Sequence, residues 1–212
     1  SCHIGWAAQD FVWKSGQNMK VVCDTTEAPV VKVALDLLKR DCRSVLSGEI
    51  SRSESTGNIY VGTWGESSVL QALADTRQLD VAQLDEHKEA FLLNVLPDGR
   101  LVVAGSDKRG TAYGVLELSR MMGVSPWEWW ADAVPEKKEE FRLPAVFRKL
   151  DYPQVDYRGI YINDEDWGLT PWSWNHYEPS ERKGQIGPKT HARIFELLLR
   201  LRANTFWPAM HE

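Results

Sequence analysis

Asp164, Glu165 and Asp166 stand in a row behind an apolar run and ahead of a tryptophan-rich segment, in YRGIYINDEDWGLTPWSWNHYE from Tyr157 to Glu178. Carboxyl groups at the end of a buried strand lose hydration free energy unless partners or a ligand meet them, and loops carried by rigid strands are where binding and catalytic groups gather. Neighbouring carboxylates raise one another's pKa, which suits a general acid. Cleavage of a glycosidic bond needs one carboxylic acid to protonate the leaving oxygen and one carboxylate to activate water or attack the sugar. Asp164, Glu165 and Asp166 are therefore candidates for proton transfer, and equally for binding sugar hydroxyls, capping loop amides or pairing with Arg158. Asn163 adds an amide beside them, and His211 an imidazole near the end of TFWPAMHE. No metal-ligand spacing links Asp164, Glu165 and His211, so neither a metal nor a cofactor is expected.

These residues need elements to hold them. From Tyr157 onward the pattern reads strand, long loop, helix, strand. In PKTHARIFELLLRLRAN, Pro188 suits the first helical position, and Ile194, Leu197, Leu198 and Leu201 form a stripe at helical spacing, with His191 on the solvated side. TFWPAMHE is the second strand, so the unit is a right-handed, parallel βαβ. Alternation along the first strand puts Gly159, Tyr161, Asn163 and Glu165 on one face and Ile160, Ile162 and Asp164 on the other. With the isoleucines against helices, Asn163 and Glu165 face the mouth; by the same logic Phe206 and Met210 point to helices, and Trp207, Ala209 and His211 point inward. The loop from Asp166 to Gly187 exceeds the usual 2 to 6 residues. It carries Trp167, Trp172, Trp174, His176 and Tyr177, which either fold the loop onto itself or offer stacking faces to flat ligands such as sugar rings.

The first part of the chain alternates strands and helices. Strands are expected at Met19 to Asp24, Asn58 to Thr63, Ala90 to Leu96 and Arg100 to Ala104, the last two joined by the turn Pro97-Asp98-Gly99. Helices are expected after Pro29, with Val30, Val33, Ala34, Leu37, Leu38 and Leu46 inward and Gly48 as the stop, then from Ser67 to Ala74, near Val81 to His87, and from Gly110 to Met122 before Gly123. The loop from Gly105 to Thr111 looks superficially like a phosphate cradle, but no lysine follows its second glycine directly, so a plain strand-to-helix turn is expected. Residues 125–150 read as a connector with a solvated charge run, whose Trp127, Trp129 and Trp130 either pack between the two parts or join the substrate site.

A formal charge of -5 and a pI near 5.6, with basic residues scattered, exclude a surface for nucleic acid or anionic lipid. No apolar run reaches the ~20 residues of a membrane span. The segment SCHIGWAAQD lacks the basic and apolar regions of a signal peptide, so an export signal is expected to have been removed or never to have existed. Cys2, Cys23 and Cys42 suggest inert thiols rather than a disulfide framework or zinc site. Seven of the ten tryptophans fall in the second half of the chain, where the candidate site lies.

The site segment, together with IGPKTHARIFELLLRLRANTFWPAMHE and GTAYGVLELSRMMGVSPWEWWADAVP, closely resembles glycoside hydrolase family 115, the xylan α-1,2-glucuronidases, from about Asn58 onward. The resemblance implies an α/β fold: an N-terminal α/β accessory domain over residues 1–145, a sheet with covering helices, then over 146–212 the first βαβ unit of an incomplete TIM (β/α)8 barrel. It implies release of glucuronic acid or its 4-O-methyl form from xylan with inversion, the catalytic carboxylates lying beyond Glu212 and this portion being inactive alone. Asn163, Glu165, Trp207 and His211, with Asp164 and Asp166, become substrate-pocket residues, and Arg158 and Lys183 candidate partners for the uronate carboxylate. Xylan or glucuronoxylan oligosaccharides are the implied partners, with room for an oligomer through C-terminal regions, in a secreted or periplasmic setting. Two alternatives stay open: another glycosidase joining an accessory domain to a barrel, such as a hexosaminidase or a different α-glucuronidase, and a non-catalytic carbohydrate-binding module.

Overall fold

The computed structural model describes residues 6–162, 167–179 and 184–208. The chain divides into two compact units, Ser1–Gln154 and Val155–Glu212.

The first unit is built on a six-stranded sheet. Its strands are β2 (Asn18–Cys23), β3 (Glu49–Ser53), β4 (Ile59–Thr63), β5 (Phe91–Val95), β6 (Leu101–Gly105) and β8 (Arg148–Asp151), in the order β3-β2-β4-β6-β5-β8. The strands β2, β3, β4 and β6 are mutually parallel, and β5 runs antiparallel to both β6 and β8. A separate ribbon pairs β1 (Phe11–Lys14) with β7 (Glu140–Leu143). Helices cover both sheet faces. On one, Leu70 and Leu73 of α2 (Ser68–Asp75) pack with Val22, Tyr60, Leu92 and Val102. On the other, α1 (Pro29–Leu46) and α3 (Lys108–Met122) pack against each other, and Gly114 of α3 sits so close to Val103 and Phe91 that a side chain there would press on both.

Local chemistry explains the helix ends. Ser67 caps α2 by accepting from the Leu70 amide at 3.2 Å, and Asp107 caps α3 by accepting from the Gly110 amide at 2.8 Å. Both α1 and α3 stop in left-handed residues, Ser47 and Gly123. The helix after Pro29 forms as expected, but its buried stripe is Val31, Ala34, Leu38, Cys42, Val45 and Leu46. Val33 is 50% exposed, so the inward face is rotated from the one expected. Near Val81–His87 only one tight turn of helix forms, Leu84–Glu86. The stretch expected to be a plain connector contributes β7 and β8. Because β8 completes the main sheet, the division falls after Gln154 rather than after residue 145.

The second unit holds β9 (Gly159–Tyr161), α4 (Leu169–Trp172) followed by a π-helical turn at Ser173–Tyr177, α5 (Pro188–Arg200) and β10 (Thr205–Trp207). Strands β9 and β10 are parallel, with Gly159 opposite Thr205, Ile160 opposite Phe206 and Tyr161 opposite Trp207. This is the expected βαβ unit. Ile194, Leu197 and Leu198 bury their side chains, whereas Leu201, at the helix C-cap, is 41% exposed. No described helix is long and apolar enough to cross a membrane.

Candidate functional site

The strand pair is set by one glycine and one asparagine. Gly159 brings its backbone so near Thr205 that a Cβ would overlap the Thr205 carbonyl oxygen. The Asn204 side chain accepts from the Arg158 amide at 3.0 Å and donates to the Asp156 carbonyl at 2.7 Å, and the Thr205 amide donates to the Arg158 carbonyl at 2.9 Å. These bonds fix the register at the amino ends of the strands. At the carboxyl ends the pairing continues as the Ile162 amide donates to the Trp207 carbonyl at 3.0 Å.

That register puts Tyr161 beside Trp207. Their rings meet edge to face with centroids 6.1 Å apart, yet they are 62% and 60% exposed. On the opposite strand face Phe206 packs its ring against Phe195 and His191 of α5. The expected facing of Phe206 toward a helix and of Trp207 away from it therefore matches the packing. The result is a strand pair with one face against α5 and, at its carboxyl end, a two-ring aromatic wall on the other. Tyr161 is a member of this wall that the acid-centred reading passes over; the available signal is its place two residues before Asn163 on one strand face.

Asn163, Asp164, Glu165 and Asp166, as well as Lys183 and His211, lie outside the described residues. The loop tryptophans are within them. Trp172 stacks on Tyr177, ring centroids 5.2 Å apart and 10° from parallel, so this pair folds the loop on itself. Trp167 is 82% exposed, and Trp174 is half-buried. The loop is anchored by Glu178, whose carboxylate accepts from the Lys189 amide at 3.1 Å, the Thr190 amide at 2.5 Å and the Thr190 hydroxyl at 2.7 Å. It thereby caps α5 from ten residues upstream, in the place where Gly187, the local N-cap, has no side chain to offer. Desolvation works to raise the Glu178 pKa, but the bonds from Thr190 and Lys189 outweigh it and hold the carboxyl below its ordinary value.

Two residues take on different roles from those expected. Arg158 donates from Nε to the Arg202 carbonyl at 2.8 Å and from Nη1 to the Val155 carbonyl at 2.7 Å, so its guanidinium ties backbone segments together rather than awaiting a uronate. His191 is not a solvated helix residue. Its Nδ1 lies 2.9 Å from the Gly187 carbonyl, which can only accept, so Nδ1 carries the proton, and the ring packs with Phe195 and Phe206. Among the described residues no group of three or more His, Cys, Asp or Glu side chains converges as metal ligands.

In the first unit the place where parallel sheets usually take ligands, beyond the carboxyl ends of the strands, is filled by the chain itself. Glu27 accepts from the Thr63 amide at 2.7 Å and from its hydroxyl at 3.2 Å, and Thr63 meets Thr111 at 2.7 Å. Asp107 occupies the N-terminus of α3, also accepting from the Glu89 amide at 2.8 Å. A phosphate would have to displace that carboxylate, which agrees with a plain strand-to-helix turn.

Residues 150–212 match the model of glycosyl hydrolase family 115. A solved family GH115 4-O-methyl-α-glucuronidase with specificity for decorated arabinogalactans is 60% identical, with a TM-score of 0.91 over 95% of this chain and 26% of that one. The chain belongs to glycosyl hydrolase family 115. It spans about a quarter of the length of that family 115 relative, 26%. More distant likenesses are to a GH20 exo-β-N-acetylglucosaminidase from Vibrio harveyi, with TM-score 0.53, 14% identity and 97% of this chain against 24% of that one, and to a GH138 enzyme targeting pectin rhamnogalacturonan II, with TM-score 0.50, 14% identity and 92% against 24%. These two show the fold alone. No curated protein sequence matches the chain.

Proposed function

We propose that the whole protein is an α-glucuronidase that hydrolyses 4-O-methyl-glucuronic or glucuronic acid from a polysaccharide. The reading is carried by the 60% identity with the solved 4-O-methyl-α-glucuronidase over 95% of this chain. It is supported by the exposed Tyr161–Trp207 wall at the strand ends, because sugar rings present apolar faces that stack on such rings. In this reading Trp207 bounds the sugar, with Asn163, Glu165 and His211 bonding its hydroxyls and Asp164 and Asp166 extending the same set. Trp167, Trp172 and Trp174 belong to the loop that borders the substrate, Trp172 by holding the loop's shape against Tyr177. The general acid and the base that activates water come from sequence beyond this chain, on a completed (β/α)8 barrel, and water attack opposite the leaving oxygen gives inversion. This chain by itself is inactive. Because a polysaccharide is too large to cross a membrane, the reaction belongs outside the cytoplasm, secreted or periplasmic.

The finer substrate is α-1,2-linked uronate on xylan. A second reading, uronate on decorated arabinogalactan, is favoured by the specificity of the solved relative. Incubating the whole protein with glucuronoxylan and, separately, with glucuronate-decorated arabinogalactan distinguishes them by which one releases uronic acid. The β-anomer appearing first in proton NMR is the expected sign of inversion. Trp207→Ala should lower kcat/KM by about tenfold or more, the equivalent of ~1.4 kcal/mol of lost ring contact. Absence of uronate release from both polymers by the whole protein refutes the reading.

A further inference from the structure

In the first unit a cleft of about 180 Å³ opens between α1 and the β2–β3 edge of the sheet. Its floor is apolar, from Val21, Leu35 and Ile50, and its rim carries the cations of Lys32, Lys39 and Arg52. Lys32, Leu35, Asp36 and Lys39 recur at i, i+3, i+4 and i+7, which lines them along one face of α1. Val21 stands opposite Arg52 in the strand register, so these two lining residues are cross-strand neighbours. Neither the Lys32 nor the Lys39 ammonium has a hydrogen-bond or ion-pair partner among the described residues, and Glu49, the nearby acid, is held by Arg43 at 2.5 Å and 3.0 Å. Arg52 donates to the Cys23 carbonyl at 2.9 Å, which orients its guanidinium at the rim.

Two acids share the cleft, and they narrow the ligand class. Asp24 accepts from the Ser68 amide at 2.7 Å and hydroxyl at 2.8 Å, and Asp36 is exposed. Sulfate brings acceptors and no donors, and phosphate near neutral pH brings at most two hydroxyl donors on a centre of full negative charge, so either would meet these carboxylates chiefly with repulsion. A sugar acid brings one carboxylate for the cations, hydroxyl donors for Asp36, and an apolar ring face for the floor. The space suits one ring, since pockets that take larger ligands run to roughly 300–1,000 Å³.

We propose that this cleft is a second carbohydrate site that binds a single hexuronate residue of a charged polysaccharide. It would hold the protein on a uronate-bearing polymer independently of the strand-end site. The choice of a uronate among sugar acids rests on the glucuronidase reading; the pairing of one anion with several hydroxyls does not.

The test is a titration of the ¹⁵N-labelled 212-residue chain with sodium glucuronate, alongside glucose, acetate and phosphate. Saturable amide shifts confined to the Lys32–Lys39 face and the Ile50–Arg52 strand, weakened by added salt, are expected with glucuronate alone. The double variant Lys32→Gln, Lys39→Gln should weaken binding about tenfold without moving the unfolding midpoint, because neither ammonium makes a hydrogen bond or ion pair among the described residues. No saturable response, or an equal response to acetate, phosphate or glucose, overturns the proposal. Glucuronate release by the whole protein with no binding here removes only this site, whereas binding here by a chain whose whole protein releases no uronate leaves the site and removes the enzymatic reading.

Discussion

Replacing Gly159 by alanine strikes at the contact that sets the candidate site. The new Cβ would overlap the Thr205 carbonyl oxygen and lie 2.6 Å from the Thr205 carbonyl carbon, so backbone, not a flexible side chain, must move. Overpacking of this kind costs about 1–3 kcal/mol. Parting the strands also weakens the bonds from the Thr205 amide to Arg158 at 2.9 Å and from the Ile162 amide to Trp207 at 3.0 Å. One such bond is worth about 0.5–1.5 kcal/mol, giving a total near 2–4 kcal/mol. Hydrogen exchange reads this directly, since the amides of Ile162 and Thr205 report opening of the strand pair. Their exchange should quicken by roughly 30-fold to several hundredfold in Gly159→Ala, from 1.4 kcal/mol per factor of ten. Val155→Ala, at a side chain 62% exposed, is the control and should leave both amides unchanged. Protection within twofold of the parent chain in Gly159→Ala would refute the claim that the close approach of Gly159 to Thr205 builds the site.

Three further outcomes follow from the geometry. Glu117 is buried and bonded to Lys149 Nζ at 2.8 Å and Arg120 Nε at 2.8 Å, but Lys149 is 31% and Arg120 56% exposed. Glu117→Gln therefore lets both cations turn to water, and urea unfolding should show a loss of about 1–3 kcal/mol rather than the ~3–5 kcal/mol of a stranded buried charge. The lowered pKa of Glu178 contributes stability that is present above the ordinary carboxyl range and is lost as pH falls through the folded-state value, so unfolding midpoints measured from pH 6 down to pH 3 should fall less steeply in Glu178→Gln than in the parent. The thiols of Cys23 and Cys42 are each pushed up to about 12, mainly by burial. At pH 8 only about one in ten thousand of each is thiolate, and mass spectrometry after iodoacetamide treatment should find both unmodified while unfolded chain is labelled.

The elements that could be read from the sequence are those whose signals are local. The hairpin of β5 and β6 follows from two apolar runs around Pro97-Asp98-Gly99, and α3 from a helical period ended by Gly123. The strands β1, β3, β7 and β8 were not legible. FVWK, EISRS, EFRL and RKLD are short and mixed in polarity, and they are strands because distant partners present a ladder: Phe11 pairs with Leu143, and Asn94 with Arg148. The rotated face of α1 has a similar origin. Val33 and Leu37 are as apolar as Val31 and Leu38, and only the position of the sheet and of α3 decides which pair is covered.

The candidate site divides along the same line. Alternation assigns Trp207 to the face away from α5, because the side-chain period of a strand is a local property. It says nothing of who stands opposite. Tyr161 and Trp207 become neighbours only because the register is parallel and unshifted, and a slip of one residue would send Trp207 against α5 and Phe206 out to solvent. That register rests on the Asn204 side chain bridging Arg158 and Asp156, and on a glycine that lets two backbones touch. The amide and the missing side chain, neither of which would be chosen as a chemical group for catalysis, therefore determine whether the aromatic wall exists.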